Sequence, residues 1–123
     1  NLINDLSNST KVDIITLNDR SVSLSVCGNS VSLNDTEFET NLFTLVTDIS
    51  DDTFFSTYKD IMIATYGEYD DVIELFDECV LKMKAGEDIY TYTDLSDNRF
   101  FAVTSSSETT GNTYTIAYAR KKY

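Results

Sequence analysis

The stretch EYDDVIELFDECVLKMK, from Glu68 to Lys84, reads as a helix with one apolar and one acidic side. At 100° per residue, Val72, Ile73, Leu75, Phe76, Cys79, Val80 and Met83 share an arc of about 160°. Asp70, Asp71, Glu74, Asp77 and Glu78 gather on the opposite side. Leu81 breaks the pattern: the same wheel sets it in the middle of the acidic side, where it has no core to join, and there a partner is expected to touch. The lysines that answer these acids, Lys82 and Lys84, stand near the C-terminal end, where the helix dipole favours them.

Upstream, Gly67 ends a second helix. Ser50 is read as its cap, with Asp51 and Asp52 in the first turn and Phe54, Phe55, Tyr58, Ile61, Met62 and Tyr66 on its apolar side. Residues 36–49 also read as helix. Asn34 or Asp35 can cap the segment, Glu37 and Glu39 fall in its first turn, and Phe38, Leu42, Leu45, Val46 and Ile49 lie within about 100° of arc. Four threonines lower the helix propensity here and leave a strand open as the alternative.

Strands flank these segments on both sides. Lys11–Leu17 is β-branched, Ser21–Val26 alternates polar and apolar with period two, and Gly28-Asn29 turns the chain into a short strand over Ser30–Leu33. After Gly86 the period returns to two in Ile89–Thr93, Arg99–Thr104 and Thr113–Ala119. Residues 2–7 form a short helical turn or fray. The expected architecture is a single α+β domain over residues 1–123, ordered βββ-α-α-α-βββ. Its sheet of short strands is mainly antiparallel and is covered on one side by two or three helices.

A chain of 123 residues buries about two-thirds of the surface that its unfolded form exposes, so it can hold a core. Its fifteen aromatic residues set it apart from disordered chains of similar charge. With 21 acids against 9 bases it carries −12, and residues 35–88 account for all of that. Such a body does not bind nucleic acid by neutralising phosphates, but it suits a protein that does. No apolar run approaches the ~18 residues of a membrane span, and no signal peptide pattern opens the chain. Cys27 and Cys79 fall at positions the periodicity turns inward, which reads as two free thiols and a cytoplasmic setting. The triplets at Asn8 and Asn34 are taken as chance matches to a glycosylation site.

The absence of histidine removes the commonest general base, the Ser-His-Asp and Cys-His arrangements and imidazole-held metals. Four glycines, Gly28, Gly67, Gly86 and Gly111, form no phosphate loop. Asp94-x-x-Asp97-Asn98 lacks the spacing and the glycine of a calcium loop and reads as a polar turn. No enzyme activity, metal or cofactor is therefore expected. The chemistry left is that of a surface. Helical spacing sets Asp70, Glu74, Asp77 and Glu78 about 5–6 Å apart, with Asp71 and Leu81 beside them and Glu37, Glu39, Asp51 and Asp52 as extensions.

Ile3-Asn4-Asp5-Leu6, followed by a short meander and acidic helices, resembles the opening of small type II-A anti-CRISPR proteins. The likeness covers four residues and the layout, and leaves the C-terminal strands unexplained. It implies a phage or prophage protein that mimics DNA and sets carboxylates against the arginines with which Cas9 reads its PAM. The expected function is that of an acidic, non-enzymatic inhibitor of a nucleic-acid-binding protein or nuclease. Two alternatives stay open: an immunity protein neutralising a basic toxin with Leu81 as anchor, and a phage assembly protein whose Tyr-rich strands form an oligomer edge.

Overall fold

A computed structural model describes residues 12–17, 20–109 and 111–122. In chain order the elements are β1 (Val12–Leu17), β2 (Ser21–Val26), β3 (Asn29–Asp35), β4 (Glu39–Val46), α1 (Asp52–Tyr66), α2 (Asp70–Lys84), β5 (Tyr90–Asp94), β6 (Arg99–Glu108) and β7 (Gly111–Lys121). The strands make one antiparallel sheet in the order β1-β2-β3-β4-β7-β6-β5. The last strand thus sits inside the sheet and joins β4 to β6. The fold is α+β, as the periodicities predict, with two helices on one side of the sheet.

Residues 36–49, expected as a helix, are instead the β3–β4 turn, β4 and the segment after it. Leu42, Thr44 and Val46 point into the core, while Asn41, Phe43 and Leu45 stand on the opposite face. Because both faces of β4 carry apolar side chains, its hydrophobic residues recur at three- and four-residue intervals and imitate a helix. The threonines mark the true state, since branched side chains suit a pleated surface. Thr36 closes the turn into β4: its hydroxyl donates to the Glu39 carbonyl at 2.9 Å and accepts from the Glu39 amide at 3.1 Å.

Two smaller expectations also change. The cap of α1 is Asp51, whose carboxylate accepts from the Phe54 amide at 3.0 Å, while Ser50 is bonded back to Asp48. Asp51 wins because a carboxylate three residues before an amide spans the first turn with full charge. Cys27 is half-exposed in the β2–β3 turn, where φ values of 51° and 83° at Cys27 and Gly28 give the double left-handed pair of a tight hairpin. Cys79 is buried, and both thiols are free. The quoted residues 3–6, the 2–7 turn and the Asn8 triplet lie outside the described residues.

The core lies between the helices and one face of the sheet. Tyr58 of α1 stacks on Phe76 of α2 at 5.9 Å between ring centres, and Phe76 meets Phe101 of β6 edge-on at 6.3 Å. Leu24, Val31, Leu42, Val103 and Ile116 supply the sheet side of the same cluster. No helix among the described residues is long and apolar enough to cross a membrane.

The acidic face of helix α2

Helix α2 buries Val72, Phe76, Cys79 and Met83 against α1 and the sheet, with Ile73, Leu75 and Val80 half-buried at its flanks. Burial pushes the Cys79 thiol up, away from the reactive thiolate. The opposite face is turned to solvent and carries Asp70, Glu74, Asp77 and Glu78 in a continuous row, with Leu81 one turn beyond at 70% exposure.

The row is thinly countered. Lys59 of α1 reaches Asp77 at 2.6 Å, and Lys82 lies 3.7 Å from Glu78. Exposed pairs of this kind contribute about 0–1 kcal/mol, so either carboxylate can exchange its lysine for a cation on another molecule at small cost. Among the described residues, Asp70 and Glu74 have no cationic partner.

Asp71 belongs elsewhere. Its carboxylate takes both outer nitrogens of Arg99, with Nη2 at 3.0 Å from Oδ2, and also accepts from the Val72 amide. The Arg99 side chain is wholly buried, stacked 3.4 Å from the centre of the Tyr69 ring and donating to the Tyr118 hydroxyl at 2.8 Å. Desolvation disfavours the guanidinium charge, but the bonds to Asp71 and Tyr118 outweigh it and hold Arg99 above its ordinary value. Releasing Asp71 to a partner would strand that charge inside the protein.

The proposed extensions do not join the row. Eight-residue β4 spans about 27 Å, and it sets Glu37 and Glu39 at the opposite end of the molecule from Asp51 and Asp52. Glu39 stands opposite Lys121, and neighbouring Asp35 is held below the usual carboxylate range by its bond from Lys122. That end is close to neutral. Asp51 is occupied as a cap, and Asp52 is paired with Lys84.

Two features went unseen in the sequence. Arg99 carries no local mark of burial, because its partner Asp71 is brought to it only by the fold. The open face of the sheet exposes Phe43, Leu45, Tyr90 and Tyr92; alternation in β5 signals its tyrosines, whereas the helical reading of β4 hides the other two. Among the described residues no three carboxylates or thiols gather as metal ligands. No family model matches the chain, and neither a curated protein nor a solved structure gives a significant match.

Proposed function

We propose that this chain is a non-enzymatic acidic inhibitor whose α2 face takes the place of a nucleic acid on a basic protein, such as a nuclease of the Cas9 kind. The observation that carries the reading is the exposed row Asp70, Glu74, Asp77 and Glu78, answered among the described residues by two weakly held lysines. Carboxylates about 5–6 Å apart on a rigid helix offer a partner's arginines and lysines a preformed string of anions. Such a partner is steered in by the −12 net charge. The phage setting and the PAM-reading site come from the resemblance at residues 3–6.

The test is binding to candidate nucleases at rising salt and in the presence of duplex DNA. Binding should weaken steeply with salt and be displaced by duplex. The combined variant Asp70→Asn, Glu74→Gln, Asp77→Asn, Glu78→Gln should lose at least about tenfold in affinity, since each charged pair at an interface is worth about 1 kcal/mol or more. A folded quadruple variant that binds at full strength would remove the idea.

Leu81 favours a second reading. An exposed leucine one turn beyond the acidic row suits an interface with an apolar anchor, as in an immunity protein bound to a basic toxin. Under that reading Leu81→Ser costs about 1.5–3 kcal/mol of binding, and affinity is largely retained as salt rises.

A further inference from the structure

The helices cover one face of the sheet only. On the other, the register aligns Phe43 of β4, Ala117 of β7, Ala102 of β6 and Tyr92 of β5 in one row across the strands. The next row is Leu45, Thr115, Thr104 and Tyr90. Small residues on β7 and β6 therefore floor a trough. Its walls are Phe43 and Leu45 on one side, 41% and 48% exposed, and Tyr92 and Tyr90 on the other, 54% and 88% exposed. Tyr92 is braced by stacking on Phe100 at 5.3 Å. Beyond β4 the same face continues over β3 and β2 as serines: Ser32 beside Phe43, then Ser23 beside Ser32.

We infer that this open face is where two copies of the chain meet, sheet on sheet. Charge is the first argument. The protein carries −12, yet the two rows that wall and floor the trough hold no ionisable side chain except tyrosine; Glu39, Lys121 and Asp94 lie beyond one end of these rows and Glu108 beyond the other. Two copies joined here keep their acidic α2 faces on the outside, separated by a sheet pair about 10 Å thick and two helix layers of about 10 Å each, several times the Debye length of about 8 Å. Contact through any part of the helix layer would press like charges together.

Shape is the second argument. A two-fold axis along the β4–β7 boundary lays β4 over β7 of the second copy, β3 over its β6 and β2 over its β5. The Phe43 and Leu45 ridge of each copy then enters the other's trough over Ala117 and Thr115, and Tyr92 and Tyr90 come to lie over Ser23 and Ser25. Large rows meet small rows on both sides of the axis, and aligned packing of twisted sheets accommodates the rest. Six strands give an overlap about 25 Å across and about 20 Å long, or about 1,000 Å² summed over both copies, the size at which an interface becomes specific.

Sedimentation equilibrium of the purified chain tests this. The wild type should form a dimer that tightens as salt rises, because salt screens the remaining repulsion while leaving apolar contact intact. Phe43→Asp should shift the chain to monomer. Ala117→Tyr should do the same by filling the trough without removing apolar surface. Circular dichroism melts of both variants confirm that each is folded. A wild type that stays monomeric at every concentration overturns the proposal, and so does a dimer that survives both substitutions, since the copies are then joined elsewhere. A monomer whose open face captures a different protein, lost in Phe43→Asp, overturns it too. None of these outcomes bears on the α2 face, whose binding weakens rather than strengthens with salt.

Discussion

Asp71 and Arg99 show how far one residue's role depends on what lies beneath it. On a helical wheel Asp71 is one acid among five, but in the fold it is the counter-charge of a buried guanidinium. Asp71→Ala should therefore destabilise by about 3–5 kcal/mol, because it leaves a charge buried and unpaired. Arg99→Met, which removes the charge and keeps apolar bulk, should cost less, and adding it to Asp71→Ala should restore part of the loss. Urea denaturation of the three variants gives the comparison; equal losses for Asp70→Ala and Asp71→Ala would contradict the assignment. The pairing is illegible in the sequence because the two residues are brought together by the docking of α2 on β6, not by any local pattern. The exposed row is legible because helical period and charge agree along seventeen consecutive residues, Glu68 to Lys84.

At the scale of the element, α1 separates a capping residue from its neighbour. Asp51→Ala should lower stability by about 1 kcal/mol, while Ser50→Ala should change it little, since the Ser50 hydroxyl donates back to Asp48 and caps no amide of the helix. Matched thermal melts of the two variants decide which residue caps the helix. Strands with one polar face, such as β2 with serine at every second position, are legible from alternation alone. β4 is not, because its outward residues Phe43 and Leu45 are as apolar as its inward ones, and a period of two vanishes when both faces are hydrophobic. The misreading and the exposed trough thus have one cause, the apolar outer face of a central strand.

Across the whole molecule, the acidic row of α2 faces solvent while several phenols, Tyr58, Tyr66 and Tyr118 among them, lie in the core. Burial raises Tyr58, Tyr66 and Tyr118 above the ordinary tyrosine value of 10.0. The unfolded chain then releases these protons at lower pH than the folded one, so stability is fully present below the ordinary value and is lost progressively as pH rises from it toward the raised folded values. The melting temperature should stay high to about pH 9 and fall between about pH 10 and 12; a flat profile there would mean that these phenols are open to solvent. The strand order also bears on how the protein comes into being. β7, eleven residues long, lies between β4 and β6, and it is the last strand of the sheet to leave the ribosome. Until it arrives, the nascent chain holds a four-stranded meander and a separate β5–β6 hairpin, and the strand edges that β7 will join stay unpaired. A released chain cut short before Gly111 would leave the β4 and β6 edges bare as two adhesive half-sheets rather than a shortened protein, a natural client for chaperones.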